Sequence, residues 1–434
     1  MGPKNRAYRF ESCRWGPTLV GDEVSAGANR LCTPGDEGLP EYVLSAGARS
    51  FCAGAPTCRA SDSVRHISPI TFTFLALLLA GCASRPEVGA LLANYQTSEG
   101  SKNHTILVAT SRARDPRPGT YFSGERSPSL NYATLTVAVP PTHVPGNIEW
   151  PSRAPGNATT DFVVRNAAYL DSERDFVKAL NAQLAMRPPG RRKVFVFIHG
   201  YNTMFAEGLY RFTQIVDDAN APGVPVLFTW ASRGHLTDYV YDSNSATAAR
   251  DELEHTLRLV FASNAEEVNI LAHSMGNWVT VEALRQIKIS ANKPPISKLG
   301  SVILAAPDID IDVFKSQMRR FGKPRKPFFI IVSRDDKALR FSDFIAGGKQ
   351  RLGAYTNDAE LTALGAVVID MTDVKANDPS NHAKFAQLAE IAPQMKQVLE
   401  GGVAPPEQSL KGQVTSASVI EGLGAPIRVI RSGQ

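Results

Sequence analysis

Cysteine disappears from this chain after its first fifth. Cys13, Cys32, Cys52, Cys58 and Cys82 are the only five in 434 residues. The long remainder therefore uses no disulfide, no thiolate nucleophile and no cysteine metal site. Histidine at metal-ligand spacing is missing too: neither HxH nor HExxH occurs, so neither a metal nor any other cofactor is expected. Charge of one sign is scarce. The formal net charge is +5, and Lys and Arg are scattered without a basic stripe interleaved with aromatics, which argues against nucleic acid as a partner. The apolar run from Ile67 to Ala80, ISPITFTFLALLLA, is shorter than the roughly 20 residues needed to cross a bilayer. What is present is ordinary for a globular protein: 43% hydrophobic and 21% charged residues, on a chain long enough for one large domain or two modest ones.

That short apolar run follows Arg65 and His66 and ends in Gly81-Cys82-Ala83-Ser84. A charged start, a brief apolar stretch and small residues make a secretory signal. Leu79-Ala80-Gly81-Cys82 resembles the bacterial lipobox, which implies that Cys82 is lipidated and becomes the mature N-terminus; the competing reading is a buried helix that ends in Gly-Cys. Ala83 and Ser84, in place of an aspartate, resemble sequences sent to the outer membrane, so the expected location is the cell envelope, with a lipid anchor in that membrane. Residues 1–63 carry neither helical nor strand periodicity and precede a segment that belongs at an N-terminus. They read as a mis-annotated extension, with translation beginning near Val64, or as a genuine disordered one. The expected organisation is an extension over 1–63, a lipoprotein-type signal over 64–82, a tether over 83–103, one catalytic domain over 104–400 and a flexible Gly-, Pro- and Ser-rich tail over 401–434.

Within the domain, Thr105 to Thr110 and Ala133 to Val139 read as strands. A regular alternation follows: strands at Val194 to Ile198, Val226 to Trp230, Val268 to Ala272, Leu299 to Leu304, Phe328 to Val332 and Val367 to Ile369. Helices are expected at Asp171 to Leu184, Ala206 to Ala219, Ser245 to Phe261, Met275 to Ile287 and His382 to Leu399. Apolar runs of about five residues alternating with helices predict a mostly parallel, doubly wound α/β sheet covered on both faces.

The chemistry centres on Val268-Asn269-Ile270-Leu271-Ala272-His273-Ser274-Met275-Gly276-Asn277. A strand, a small-x-Ser-x-Gly turn and a helix make a nucleophile elbow, which requires small flanking residues and lifts the serine above the sheet. Ala272 stands where glycine is commonest, a mild departure. The helix beginning at Met275 points its free N–H groups at Ser274. His199-Gly200, directly after the VFVFI strand, places the Tyr201 amide beside that of Met275 as the second donor of an oxyanion hole. His199 itself reads as a structural brace. In the α/β-hydrolase arrangement the order is Ser, acid, His, and His382 alone follows Ser274, which excludes His104, His143, His235, His255 and His273. For the acid, Asp336 in the loop after the Phe328 to Val332 strand is favoured, with Asp335 and Asp308 as competitors; Asp308 reads equally as a turn or helix cap.

VATSR, GERSPSLNYATLTVAVPPTH, VFVFIHGYN, FTWASRG with Tyr241-Asp242, LAHSMGN, AAPDID, VSRDDKAL and NHAKF together make the chain similar to bacterial α/β-hydrolases of the esterase/lipase superfamily whose substrates are largely unassigned. The likeness runs from about Thr105 to about Phe385. It implies the α/β-hydrolase fold, Ser274 as nucleophile, Asp336 as acid and His382 as base. Ala231 departs from the proline that often follows the tryptophan, a matter of loop stiffness. The expected reaction is hydrolysis of a small-molecule or lipid ester through an acyl-enzyme. The alternatives are a peptidase or acyltransferase on the same fold, and a non-catalytic surface lipoprotein using it as a binding scaffold.

Overall fold

Each central strand is an apolar run whose alternate residues enter opposite faces. In β4 (Lys193–Ile198), Val194, Val196 and Ile198 join one buried cluster, while Phe197 joins a second on the other side of the sheet. A strand buried on both faces needs cover on both faces, and the helices supply it. The computed structural model describes residues 88–387 and 415–432. The extension, the signal-like segment and Cys82 lie outside these residues. Among the described residues no helix is long and apolar enough to cross a membrane.

The strands are β1 (Lys102–Arg114), β2 (Phe122–Val139), β3 (Val163–Leu170), β4, β5 (Val224–Thr229), β6 (Glu267–His273), β7 (Leu299–Ala305), β8 (Phe328–Val332), β9 (Ala366–Asp370), β10 (Thr415–Gly422) and β11 (Ala425–Ser432). They form one eleven-stranded sheet in the order β10-β11-β9-β8-β7-β6-β4-β5-β1-β2-β3. From β1 to β9 the pairings are parallel, and the two edges, β1-β2-β3 and β9-β11-β10, are antiparallel. The helices are α1 (Glu173–Ala185), α2 (Phe205–Asp218), α3 (Tyr239–Ala248), α4 (Arg250–Ala262), α5 (Gly276–Ile289), α6 (Ile311–Phe321), α7 (Lys337–Ile345) and α8 (Asp358–Ala363). Phe176 of α1, Leu253 and Leu257 of α4, Val279 of α5 and Phe314 of α6 cover one face; Leu209 and Phe212 of α2 cover the other. This is the mostly parallel, doubly wound α/β sheet that the strand–helix alternation predicts.

The chain leaves β4 for β5 on one side and returns to β6 on the other. At such a reversal the loops beyond the carboxyl ends of adjacent strands diverge and leave a crevice. Gly200 and Ser274 sit at the ends of the two strands that flank it.

Several expectations are corrected. Residues 415–432, read as part of a flexible tail, form the β10–β11 hairpin, which pairs with β9 through Val429↔Ile369 and Ile430↔Val368. Ile420, Ile427 and Val429 are buried there; the Gly- and Ser-rich composition hid an alternation of β-branched residues. The expected tether is folded onto the domain from Val88 onward. Leu91 is fully buried, with its N–H on Gly119 O at 2.9 Å, and Asn94 N–H bonds Val164 O at 2.8 Å. The helix expected over Ser245 to Phe261 is divided at Ala249, whose ψ is −2°. The helix expected from His382 does not begin there. His382 and Ala383 are irregular, and only the 3-10 turn Lys384–Gln387 follows; the rest of that expected helix lies outside the described residues. The Asp378 carboxylate accepts the amides of His382 and Ala383 at 3.0 and 2.8 Å, and Asn381 has a left-handed φ of 59°, so the segment is held as a loop.

Candidate active site

Ser274 lies between β6 and α5 with a φ of 52°, a left-handed conformation that a non-glycine residue adopts at a cost of order 1–3 kcal/mol. The surroundings enforce it: Ser274 N–H donates to Ala305 O at 3.0 Å, and its carbonyl accepts Asp308 N–H at 3.2 Å and Asn277 Nδ2 at 2.8 Å. Two glycines make room. A Cβ on Gly276 would stand 2.3 Å from His199 O, so α5 meets β4 only without a side chain there; a Cβ on Gly200 would stand 2.6 Å from Ser274 Cβ. The β4 and β6 loops therefore touch at Gly200 and Ser274, and Tyr201 and Met275 are the residues that follow each. Met275 is the N-cap of α5, and the amides of Asn277 and Trp278 turn back onto Ser274 O and Met275 O at 3.1 Å each.

The loop carrying Gly200 is braced from below. His199 is buried; its Nε2 accepts Trp230 N–H at 3.1 Å, its Nδ1 lies 2.8 Å from Gly200 O, and its ring stacks on Trp230 with centroids 5.0 Å apart. Burial, then the Arg112 charge, lowers its pKa to about 3, so the imidazole is neutral and serves as a brace. Arg112 of β1 is itself fully buried, a residue whose role the sequence did not reveal. Its guanidinium donates to Thr229 Oγ1 (2.7 Å), Ser123 O (3.0 Å), Ser232 O (2.7 Å) and Thr203 O (2.7 Å), tying four segments together. Desolvation lowers its pKa to about 10, against the raising influence of Asp242. Buried Asp242 accepts Ser232 Oγ at 2.5 Å and the amides of Asn202 and Arg233 at 3.1 and 3.0 Å. Arg112 and Asp242 thus fix the loop from Gly200 to Thr203 from two sides.

Of the sequence candidates, the structure brings Asp336 and His382 together. Asp336 Oδ2 lies 2.7 Å from His382 Nδ1, and its other oxygen caps α7 by accepting Leu339 N–H at 3.0 Å. A carboxylate only accepts, so Nδ1 carries the hydrogen and Nε2 keeps its lone pair. No hydrogen bond between Ser274 Oγ and this imidazole is formed among the described residues; such bonds are commonly long until substrate binds. The His382 loop is held against the serine's neighbour instead: His273 Nε2 lies 3.4 Å from His382 O, the two rings are 4.7 Å apart, and His273 stacks on Phe385 at 4.1 Å. Burial, then the His382 charge, pushes the His273 pKa well down. For His382, burial acts to lower the pKa, but the bond to Asp336 and the charges of Asp336, Asp308 and Asp378 outweigh it, and the net shift is upward.

The competing aspartates point elsewhere. Asp335 accepts Ser333 Oγ at 2.6 Å, Lys384 Nζ at 2.7 Å and Asn381 Nδ2 at 2.8 Å; it grips the residues on either side of His382 without touching the ring. Asp308 is buried, accepts Ser342 Oγ at 2.6 Å and lies 3.2 Å from Arg351 Nε, with Tyr239 OH at 3.4 Å. Desolvation raises its pKa, opposed by Arg351. Lys384 and Asp378 are the further residues whose roles at the site were missed; Asp378 left a turn signal at Asp378-Pro379-Ser380, and Lys384 stood in the NHAKF stretch with no role read from it.

Residues 172–400, more than half of the chain, match the family described as Alpha/beta hydrolase of unknown function (DUF900). The chain belongs to this family. No curated protein matches the sequence. Among solved structures it is similar to an esterase of Pyrobaculum calidifontis (9% identity, 54% of this chain and 93% of that one, TM-score 0.29) and to esterase B of Lactobacillus rhamnosis (10%, 77% and 96%, 0.29). Esterase 2 of Thermogutta terrifontis is another (12%, 72% and 100%, 0.27). Likenesses of that size carry no argument about substrate or mechanism. In this α/β-hydrolase, the site's own geometry has to carry it.

Proposed function

We propose that this chain is a serine hydrolase of carboxylic esters, with Ser274 as nucleophile, His382 as general base and Asp336 as the acid that orients it. The observation that carries the reading is the 2.7 Å bond between Asp336 and His382 Nδ1, which leaves the lone pair of Nε2 available to take a proton. In the reaction, Nε2 takes the Ser274 proton as Oγ attacks the ester carbonyl. The amides of Tyr201 and Met275 stabilise the oxyanion, and the imidazolium returns the proton to the leaving alkoxide. Water then enters by the same route to release the acid and regenerate the serine. A buried carboxylate on Nδ1 fixes the tautomer and stabilises the imidazolium, in keeping with the upward pKa shift of His382.

Turnover of short activated esters by purified wild type and Ser274→Ala tests the reading. Loss of several powers of ten with unchanged circular dichroism is expected, and unaltered turnover contradicts it. The lipobox-like segment further supports a domain anchored to the outer membrane through lipidated Cys82. Cys82→Ala is expected to release the protein from the membrane fraction; a wild-type protein that fractionates as soluble, with no lipid in its mass, refutes the anchor.

A further inference from the structure

The outward face of α7 is built against the rule for a surface helix. Lys337, Arg340, Phe341, Phe344 and Ile345 fall at i, i+3, i+4, i+7 and i+8, a single stripe, and all five are exposed, while Leu339 and Ser342 on the inner side are buried. Phe344 is 81% exposed. The apolar surface continues past the helix. Tyr239 OH lies 2.8 Å from Ser342 Oγ, so α3 meets α7 there, and Leu236 and Val240 on either side of Tyr239 are 71% and 68% exposed. One residue before Leu236, His235 shares a cavity of about 270 Å³ with Val88, which is also exposed. Apolar side chains from three segments are thus exposed on or near α7, the helix that Asp336 caps. Exposed apolar side chains gathered in this way mark a surface that is covered in use.

We propose that this surface docks on anionic phospholipid and that the ester substrate is drawn from the bilayer; the substrate half of this rests on the serine-hydrolase reading above. Two observations select a lipid surface as the occupant. Lys337 and Arg340 are interleaved with the aromatics and donate to the carbonyls of Pro379 (2.9 Å) and Arg334 (3.0 Å). No carboxylate among the described residues pairs with either, so their charge is left for acidic headgroups. Second, Cys82 is six residues before Val88. At full extension that stretch reaches about 20 Å, so the acyl chain proposed above for Cys82 would keep Val88 close to the membrane.

The test uses the full chain carrying Cys82→Ala, which removes the anchor and leaves the surface. Its probes are vesicles of equimolar phosphatidylglycerol and phosphatidylcholine, and of phosphatidylcholine alone. The protein is expected to sediment with the acidic vesicles, Phe341→Ser/Phe344→Ser to weaken binding at least about tenfold, Phe344→Trp to retain it, and Lys337→Gln/Arg340→Gln to abolish the preference for acidic lipid. The Phe341→Ser/Phe344→Ser protein is also expected to lose turnover of a long-chain ester carried in vesicles far more than turnover of a short soluble ester. Equal vesicle binding by parent and Phe variants overturns the docking surface. So does a parent that ignores vesicles but sediments as a dimer that the Phe variants split, since a second copy then covers the patch. Vesicle binding that depends on the patch, in a protein that hydrolyses no soluble ester, upholds the surface and overturns the hydrolase reading.

Discussion

Asp336, Asp335 and Asp308 surround His382 with three different duties, and substitution separates them. Asp336→Asn removes the charge facing Nδ1 and favours the wrong tautomer, so turnover is expected to fall by about 10⁴. Asp335→Asn weakens the grip on Asn381 and Lys384 and is expected to cost far less. Asp308 acts through the field. Its charge helps to hold the His382 pKa above the ordinary value; on the proposed mechanism the base works only when neutral, so rate is expected to rise with pH through that pKa. Asp308→Asn removes a charge that stabilises the imidazolium; the acid limb of the kcat/KM profile is expected to move to lower pH. An unmoved limb refutes the coupling. Much of this arrangement was legible in the sequence for particular reasons. The elbow around Ser274 is a local pattern, and His382 is the sole histidine after it. Asp336 follows a strand end. Asp378 and Lys384 were not legible, because their contacts with the His382 loop and with Asp335 exist only once the chain turns back on itself.

Elements are joined at the site by close approach and buried charge. At Gly200 the β4 loop meets Ser274, and Gly200→Ala forces a Cβ to 2.6 Å from Ser274 Cβ. Overpacking of this kind costs about 1–3 kcal/mol, read by urea unfolding, and kcat is expected to fall out of proportion because the oxyanion loop moves with it. Full activity in the stable variant would show that the loop has slack. The glycine at 200 could be anticipated from the motif; the bracing roles of Arg112 and Asp242 could not, although both lie in stretches that carry the family likeness, since burial of an arginine is not a local property. The outward stripe of α7 becomes plain only in the folded chain. Its apolar residues recur at helical spacing but face solvent, the reverse of what that spacing ordinarily signals.

In the whole molecule, the antiparallel edge formed by β10 and β11 closes the sheet beside β9. Ile427, Val429 and Ile420 share a buried cluster with Ile369, Met371 and Phe385, three residues beyond His382. Removing residues 411–434 takes these side chains away, at about 1.5–3 kcal/mol each, and bares the β9 edge to other chains. A lowered Tm with rising light scattering is expected, and an unchanged Tm would mean that the hairpin does not belong to the folded unit. The parallel sheet was legible because strands buried on both faces read as unbroken apolar runs. The hairpin was not, because its Gly- and Ser-rich surroundings obscure a period-two pattern. That scaffold exists, on this account, to present one reactive serine. Fluorophosphonate labelling of the purified protein followed by peptide mass mapping tests it most directly. The account predicts a single adduct on Ser274, lost in Ser274→Ala and slowed by orders of magnitude in His382→Ala. A protein that takes no label, or takes it equally in wild type and Ser274→Ala, would contradict it.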